Sequence, residues 1–386
     1  MKIGITCYPT YGGSGAVATE LGIELARRGH QVHFISYAQP FRLTHFHEGV
    51  FFHEVEVNRY PLFEYPPYSL ALAVTMHEVV QREELDLLHV HYAIPHATAG
   101  WIARDMLRDG GGDVKLVTTL HGTDITLVGQ DPSYWAIAKF SIEKSDQLTA
   151  VSTWLRDQTL RDFACSKCQI EVIPNFIDPA IYHPGAATGR SSLAATDEKI
   201  VMHVSNFREV KRIPDVIEIF CRIQQRVPAR LVLVGDGPER QRAEDLASEL
   251  GVSHRVVVLG KLESVAGLLA CADLFLLPSE QESFGLVALE AQASGVPVIG
   301  SAGTGLAEVV EHGVTGSLHP LGAVEEMAEA AIALLTDEAR WSRMSRAARA
   351  RAVEEFAIDR VIPRYEQLYV DVLAGKRNAS SESSVA

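Results

Sequence analysis

Short apolar runs alternate with amphipathic segments along almost the whole chain of 386 residues. In the first half, the predicted buried strands cover residues 3–7, 32–36, 87–90, 116–120 and 147–151, with helical patterns such as 16–28 and 95–107 between them. In the second half, the predicted strands cover residues 200–205, 231–234, 256–259, 274–277 and 298–300. Strands and helices that alternate at this spacing predict an α/β protein whose parallel sheets are covered by helices on both faces.

A stretch rich in Pro, Gly and Ser interrupts this alternation at residues 172–192 and indicates a linker. It predicts two doubly wound, Rossmann-like domains, over residues 1–176 and 177–361, that face each other across a cleft. A helix over about 362–376 is expected to pack back on the first domain, and residues 377–386 are expected to form a flexible tail. Ligands of such sheets bind at the carboxyl ends of the strands.

The composition narrows the class of partner. With 47% hydrophobic and 22% charged residues the chain is typical of a globular protein, and its formal net charge of −14 disfavours nucleic acid or an anionic membrane surface. No apolar run approaches the ~20 residues that cross a membrane, and the first ten residues are too short for a signal-peptide core. We therefore expect a cytoplasmic protein with small-molecule substrates and no stable membrane association; a homodimer is compatible with the sequence.

Five cysteines are too few for a disulfide framework. Cys165 and Cys168 form an isolated C-x-x-C, which we interpret as a loop pair without special chemistry rather than a zinc or redox site. His89 and His91 are two residues apart on a predicted strand, so their rings share one face and could reach a common metal ion. No third ligand is evident nearby, and packing is the favoured interpretation.

A glycine-rich turn follows the first predicted strand, in residues 11–22 (YGGSGAVATELG). Gly13 and its neighbours let the backbone approach a ligand closely, and the amino end of the next helix favours an anion. The string matches neither G-x-G-x-x-G nor G-x-x-x-x-G-K-[ST], which disfavours a dinucleotide fingerprint and a P-loop ATPase. A binding turn is favoured over a tight turn alone, with Ser14 as the side chain that can bond a substrate.

Two further strand ends in the first half carry polar residues. His121 precedes a glycine after one strand and can present its carbonyl and its imidazole to a ligand, although a lone histidine is often structural. Tyr92 ends the neighbouring strand in the same way. In the second half, Arg208 and Lys211 follow the opening strand, where a guanidinium and an ammonium suit a pyrophosphate better than a merely solvated helix start.

The stretch ESFGLVALE places Glu282 and Glu290 around a predicted helix start. If the helix begins near 283–284, the amides around Gly285 and Leu286 can stabilise a phosphate. Glu282 can then accept hydrogen bonds from sugar hydroxyls, and Glu290 can accept two from the vicinal diol of a ribose. A surface glutamate on an amphipathic helix is the alternative, which the other stretches disfavour.

Together these residues resemble a retaining glycosyltransferase of the GT-B fold with an E-x7-E motif, here Glu282…Glu290. The likeness covers nearly the whole chain. It implies a nucleotide-diphosphate sugar as donor, no metal ion or other cofactor, and retention of the anomeric configuration. The sequence contains no Asp-x-Asp metal motif, in agreement with that expectation.

A narrower likeness rests on MKIGITCYPTYGGSGAVATELG, HVHYAIPHA, TTLHGTDIT and VSNFREVKR. These stretches resemble the family that transfers N-acetylglucosamine from UDP-GlcNAc to the hydroxyl of L-malate, the first step of bacillithiol biosynthesis. One departure concerns the frequent G-R-x4-K pattern, which reads Ser205-Asn206-x4-Lys211 here. Arg208 would then serve the pyrophosphate, and Asn206 would be free to touch the acceptor.

The resemblance implies three sets of site residues. The catalytic set is His121, Glu282, Arg208 and Lys211. The donor-binding set is Gly13, Asn206, Leu262, Ser283, Phe284, Gly285, Leu286 and Glu290. The acceptor-binding set is Ser14, Tyr92, Thr119, Lys139 and Asn206. Lys139 is included because a dicarboxylate requires a cation in the first domain, and a solvent-facing lysine is its alternative.

Rival functions remain open at this point. Within the class, the acceptor could be an inositol phosphate or a lipid, although no basic amphipathic helix favours a lipid. Outside it, a UDP-GlcNAc epimerase also uses two doubly wound domains, and a non-catalytic sensor would bind UDP-GlcNAc without releasing UDP.

Overall fold

The computed structural model describes residues 1–10, 12–57, 61, 64–165 and 168–376. The chain divides into two compact units, which we call unit 1 (Met1–Pro174 with Val361–Ala386) and unit 2 (Asn175–Arg360). The predicted boundaries at 176 and 361 fall within two residues of these. The predicted tail, residues 377–386, lies outside the described residues.

Unit 1 is built on a seven-stranded sheet in which every pairing is parallel. Its strands are β1 Lys2–Thr6, β2 Gln31–Ser36, β3 Val50–Glu54, β4 Leu87–His91, β5 Lys115–Leu120, β6 Gln147–Ala150 and β7 Ile170–Val172. The strand order is β3-β2-β1-β4-β5-β6-β7. Its helices are α1 Gly13–Arg27, α2 Tyr68–Glu83, α3 Thr98–Asp109, α4 Thr123–Thr126, α5 Pro132–Lys144 and α6 Thr153–Asp162.

Unit 2 contains a six-stranded parallel sheet of order β10-β9-β8-β11-β12-β13. Its strands are β8 Lys199–Ser205, β9 Ala229–Gly235, β10 Val256–Val258, β11 Leu274–Leu277, β12 Val298–Ser301 and β13 Gly316–His319. Its helices are α7 Arg190–Leu193, α8 Ile213–Gln224, α9 Arg240–Glu249, α10 Ala266–Leu269, α11 Leu286–Ala293, α12 Leu306–Val309, α13 Val324–Leu335 and α14 Glu338–Phe356. A final helix, α15 Ile358–Leu373, enters unit 1 at Val361.

Local chemistry explains several of these elements. The central strands β4 and β11 are fully buried, as parallel strands covered on both faces must be. Side chains cap three helices at their amino ends: Asp131 caps α5, Ser152 caps α6 and Asp337 caps α14, each accepting a backbone N–H of the first turn. In α15, Tyr365 and Tyr369 are buried in unit 1, and the Tyr369 hydroxyl bonds to a histidine of β4.

The predicted elements differ from the observed ones mainly at edges. The edge strands β3, β7 and β13 were not predicted, because they are short and only partly buried and so lack the apolar run of a central strand. The helix predicted over 95–107 begins instead at Thr98, after a single turn of π-helix over Ala93–Ala97.

The predicted linker is not an extended connection. Ile177 pairs with Ala357, Tyr182 is 3% exposed, and the Arg349 guanidinium donates to the Pro179 carbonyl. Prolines and glycines in this stretch therefore shape a segment that is folded onto unit 2.

The two cysteines of the C-x-x-C are bonded to each other. Cys165 and Cys168 form a disulfide with a Cα–Cα distance of 5.5 Å after the end of α6. The prediction of a loop pair without special chemistry is therefore wrong.

In the described part of the chain, no helix combines the length and apolarity needed to cross a membrane.

Both sheets reverse their strand order in the middle. In unit 1 the reversal lies between β1 and β4, and in unit 2 it lies between β8 and β11. Connections leave such neighbouring strands in opposite directions, so a crevice opens at their carboxyl ends, where ligands of this architecture bind. The loops after β1, β4, β8 and β11 are therefore the first places to seek a site.

Candidate functional site

In unit 1, the start of α1 and the loop after β4 bring together two predicted site residues. The Ser14 hydroxyl lies 2.8 Å from the Tyr92 hydroxyl. Tyr92 directly follows β4 and has φ 88°, a left-handed conformation that is costly for a bulky residue. Its backbone N–H donates to the Thr119 carbonyl at 2.9 Å, which holds it in that conformation. Gly13 is the first residue of α1, beside Ser14.

A buried carboxylate organises the loop after β5. Asp124 accepts backbone N–H bonds from Gly122 at 2.9 Å, from His121 at 3.3 Å and from Ala93 at 2.9 Å. It thus ties the loop that carries His121 to the loop that carries Tyr92. Burial raises the pKa of Asp124, although the three N–H bonds oppose the shift. Sequence reasoning missed Asp124, because its bonds run back to preceding residues and to the distant Ala93 and not forward as in an Asx-turn.

Three histidines, which we call the histidine cluster, meet behind this loop: His91, His96 and His121. His91 Nδ1 lies 2.7 Å from His121 Nε2, and His96 Nδ1 donates to the His91 carbonyl at 2.5 Å. Burial lowers the pKa of His121 to about 3 and that of His96 to about 4, and it lowers the pKa of His91 well below its ordinary value. The cluster is therefore neutral near pH 7.

The neighbouring His89 has the packing role that its sequence favoured. It is fully buried, and its two ring nitrogens lie 2.8 Å from the Tyr369 hydroxyl and 2.7 Å from the Thr119 hydroxyl. Thr119 also bonds to the Thr149 hydroxyl at 2.6 Å. Thr119 is thus fully buried and engaged in the core, so the structure does not present it to an acceptor.

Lys139 lies near the amino ends of the strands, opposite the carboxyl ends where Ser14 and Tyr92 lie. It lines a pocket together with Lys115 and Gln147, the first residues of β5 and β6. Its ammonium lies 3.9 Å from the Glu143 carboxylate and 5.3 Å from the centre of the Trp135 ring. The structure therefore does not bring Lys139 together with Ser14 and Tyr92, because a residue of α5 points to the amino ends of the strands.

In unit 2, the loops after β8 and β11 place a cation against a carboxylate. Lys211 Nζ donates to Glu282 Oε1 at 2.6 Å, and both side chains are largely buried. The backbone N–H of Glu280 donates to the Val210 carbonyl at 2.8 Å and joins the two loops. Gly305 donates its N–H to the Glu282 carbonyl, also at 2.8 Å, so a third loop fixes the backbone of Glu282.

The helix of the E-x7-E motif begins slightly later than predicted. Its first residue is Leu286, and Gly285 precedes it with φ 89°. Phe284 is 2% exposed and its ring packs 5.6 Å from that of Phe356, so its side chain belongs to the core. Phe284 and Gly285 can therefore meet a ligand only through the backbone at this helix start, whereas Ser283 and Leu286 are partly exposed.

Glu290 lies inside α11 and is 6% exposed. Its Oε1 accepts a hydrogen bond from the Tyr182 hydroxyl at 2.8 Å. Tyr182 belongs to the stretch predicted to be a linker, where no sequence signal pointed to a contact of this kind. The second carboxylate of the motif is thus oriented by a residue about one hundred positions earlier in the chain.

Three other predicted residues of unit 2 make no described contact with these groups. The Arg208 side chain is exposed and makes no ion pair with any described residue. The Asn206 side-chain oxygen is buried and has no hydrogen-bond partner in the ranges that the structure describes. Leu262 follows β10 and is partly exposed. Sequence reasoning missed His203, which joins the Leu276 carbonyl to the Ser205 hydroxyl at 2.8 Å each.

One group with metal-ligand spacing occurs among the described residues: His33, His53 and Glu83, whose ligand atoms lie within 4.8 Å of one another. Its surroundings do not fit a metal ion. A metal-bound imidazole donates its other N–H to an acceptor, but the other nitrogen of His53 faces the Arg82 guanidinium, which is a donor, at 3.0 Å. Hydrogen bonding accounts for this group.

Comparisons with known proteins agree with this geometry. The family model "Glycosyltransferase Family 4" matches residues 11–181, and "Glycosyl transferases group 1" matches residues 187–351. Sucrose-phosphate synthase from Thermosynechococcus elongatus has a similar structure, with a TM-score of 0.81 and 23% identity over 97% of this chain and 100% of that chain. Anabaena Alr3699/HepE, solved with UDP and glucose, has a TM-score of 0.79 and 22% identity over 96% of this chain and 99% of that chain.

Two Rossmann-like parallel sheets, polar groups at both strand-order reversals and these matches define a glycosyltransferase of the GT-B fold. The chain is 49% identical over 380 residues to N-acetyl-alpha-D-glucosaminyl L-malate synthase of Bacillus anthracis, covering 98% of this chain and 99% of the relative. The chain belongs to the family of N-acetyl-alpha-D-glucosaminyl L-malate synthases.

Proposed function

We propose that this glycosyltransferase moves N-acetylglucosamine from UDP-GlcNAc to the hydroxyl of L-malate, with release of UDP and retention of the anomeric configuration. The observation that carries the choice of substrates is the 49% identity to the Bacillus anthracis synthase across almost the full length of both chains. The match spans nearly the whole of both chains and so includes the stretches that carry the site residues, whereas the fold alone serves many donors and acceptors.

Unit 2 supplies the groups that suit the donor. Lys211 has three N–H donors, so it can keep its bond to Glu282 and still donate to a diphosphate oxygen. Arg208 adds an exposed guanidinium, and the amides at the start of α11 add partial positive charge. These groups would stabilise the negative charge that grows on the leaving UDP, which is the largest electrostatic demand of the reaction.

The remaining donor contacts follow from the two carboxylates. Glu282 would accept a hydrogen bond from a hydroxyl of the hexose, and Glu290, oriented by Tyr182, would accept from the ribose. On unit 1, His121 would orient the hexose, and Ser14 and Tyr92 would bond to the acceptor. Lys139 is not retained in the acceptor set because it lies at the amino ends of the strands.

The proposed mechanism is front-face substitution. The bond from C1 to the UDP oxygen loosens, the malate hydroxyl attacks from the same face, and its proton passes to the leaving phosphate. The protein contributes positioning and charge stabilisation rather than a covalent nucleophile. Because Lys211, Arg208 and the helix start would carry the charge of the diphosphate, we propose that turnover needs no metal ion.

The first prediction tests this proposal with the full chain. UDP release from UDP-GlcNAc should depend on added L-malate. Mass spectrometry should detect the N-acetylglucosaminyl malate conjugate, and its proton NMR spectrum should show the coupling of an α-anomer. Turnover should survive EDTA. A panel of D-malate, other small hydroxy acids and an inositol phosphate provides the controls.

Other outcomes would replace the proposal. UDP release with inositol phosphate and not with malate would assign another acceptor. Epimerised UDP-sugar formed without any acceptor would indicate an epimerase, and tight binding of UDP-GlcNAc without UDP release under any condition would indicate a sensor.

A further inference from the structure

His91 is the last residue of β4 and makes a contact for which the mechanism above has no use. Its Nδ1 lies 2.7 Å from Nε2 of His121, and the two rings are nearly coplanar, with an interplanar angle of 26°. Two imidazole nitrogens at this distance share one proton, because two lone pairs would repel and two N–H groups would collide. One ring donates and the other accepts.

The burial of His91 decides the direction of this bond. His91 is fully buried, and its Nε2 has no hydrogen-bond partner in the part of the chain that the structure describes. If His121 donated, the single proton of a neutral His91 would lie on Nε2 and would be a buried N–H without an acceptor. If His91 donates from Nδ1, only a lone pair is left unsatisfied, and orphaned buried N–H groups are the rarer of the two.

The neighbouring histidine supports this assignment. His96 Nδ1 donates to the His91 carbonyl at 2.5 Å, because a carbonyl can only accept. The Nε2 of His96 is therefore an acceptor, and it too is buried without a partner in the described ranges. His91 Nε2 and His96 Nε2 are therefore not bonded to each other, and an N–H on His91 Nε2 would have no acceptor among the described residues.

The consequence falls on His121. When its Nε2 accepts from His91, its own proton must lie on Nδ1. That nitrogen bonds to no described residue, and His121 is partly exposed beside the ring of Tyr92, at 5.3 Å between ring centres. The loop after β5 therefore offers one N–H donor of fixed identity to a ligand.

We infer that His91 is a positioning residue which holds His121 in the Nδ1–H tautomer, so that His121 donates a hydrogen bond to a hydroxyl oxygen of the bound hexose. The identity of the ligand rests on the proposed function. The assignment of the tautomer does not, because it follows from the contacts of His91. The bond from His91 also fixes the plane of the His121 ring, as second partners of functional imidazoles do. Sequence alone cannot reveal this, since His91 ends β4 and His121 lies in the loop after β5.

Nitrogen-15 NMR of the full chain without ligands tests the tautomer directly. With labelled histidine, and with His121→Asn to assign its signals, His121 should show a pyrrole-type shift at Nδ1 and a pyridine-type shift at Nε2 at pH 7.5. The reverse pattern at His121 would overturn the inference. This measurement needs no turnover, so failure of the UDP-GlcNAc and malate assay would refute the proposed function without deciding the tautomer.

Two variants separate positioning from packing. His91→Asn places an amide donor close to the position of Nδ1, so the His121 tautomer should persist and kcat/KM for UDP-GlcNAc should stay within about three-fold. His91→Phe fills the space without a donor; His121 should then populate both tautomers and kcat/KM should fall about ten-fold or more. An unchanged tautomer and unchanged kcat/KM in His91→Phe, or equal losses in both variants, would show that His91 only packs.

Discussion

In unit 2, two predicted site residues of opposite charge, Lys211 and Glu282, form an ion pair. The Lys211 ammonium donates to Glu282 at 2.6 Å, and the pair occupies the reversal of strand order between β8 and β11. A pair that is largely buried costs desolvation energy, which makes it weak evidence for a stabilising role. A role in binding anions explains its presence better, since ligands of this architecture bind at the carboxyl ends of the strands beside such a reversal.

A second prediction follows at this scale. Lys211→Ala should lower kcat by roughly two to three orders of magnitude, because it removes a charge that faces the leaving diphosphate. Lys199 is the matched control: it begins the same strand, β8, and pairs with Asp273 and Glu338 at 3.6 and 3.8 Å. Steady-state UDP release should show Lys199→Ala close to wild type. Similar rates for both variants would remove Lys211 from the site.

At the scale of elements, a contact between two loops positions Glu282. The loop between β12 and α12 contains Gly305, whose added Cβ would lie 2.1 Å from the Ser283 carbonyl oxygen and 3.0 Å from that of Glu282. Those atoms belong to backbone, which cannot swing aside as a flexible side chain can. The glycine is therefore required by the close approach of two loops.

A third prediction concerns this contact. Gly305→Ala should displace the backbone of Glu282 and lower kcat/KM at least ten-fold, since small displacements of site groups reduce rates strongly. Gly112→Ala is the control, because its Cβ would meet nothing closer than 3.5 Å. Initial rates and thermal unfolding of both variants should be compared. A Gly305→Ala protein with normal rates would mean that the loop tolerates the shift.

At the scale of the whole molecule, buried histidines are distributed unevenly between the units. Those whose pKa burial lowers strongly are His33, His89, His91, His96 and His121 in unit 1 and His203 in unit 2. Burial lowers the pKa of His89 to about 3 and those of His33, His96 and His203 to about 4, because the charged ring loses its hydration.

A fourth prediction concerns acid stability. A histidine with a lowered pKa in the folded state stays neutral there but takes up a proton in the unfolded state below its ordinary pKa of 6.5. Stability is therefore lost as pH falls from 6.5 toward 4, at roughly 1 kcal/mol per pH unit for each such group. Unit 1, which holds more of them, should unfold first on acidification. Hydrogen exchange by mass spectrometry from pH 7 to 4.5, corrected for intrinsic rates, should show this; earlier exposure of unit 2 would contradict it.

The fold could be predicted to a large extent because it depends on periodicity. Central strands such as β1 and β11 carry runs of buried apolar residues, and such runs are visible without a structure. Edge strands such as β3 are partly exposed, so their sequence resembles that of a loop. The predicted linker at 172–192 does contain the boundary between the units, but the packing of the segment around Tyr182 on unit 2 was not predicted, because prolines and glycines mark a change of direction and not what the segment packs against.

What the sequence by itself determined is the succession of strands and helices along the chain, the strand ends that carry polar residues, and the spacing of Glu282 and Glu290. The tertiary structure alone decided which of these residues meet: it joined Ser14 to Tyr92, Lys211 to Glu282 and His91 to His121. It also placed Lys139 at the amino ends of the strands and bonded Cys165 to Cys168. The physical reason is that a pattern reports the environment of each residue, whereas a contact between distant residues depends on the strand order and its reversal, which local sequence does not encode.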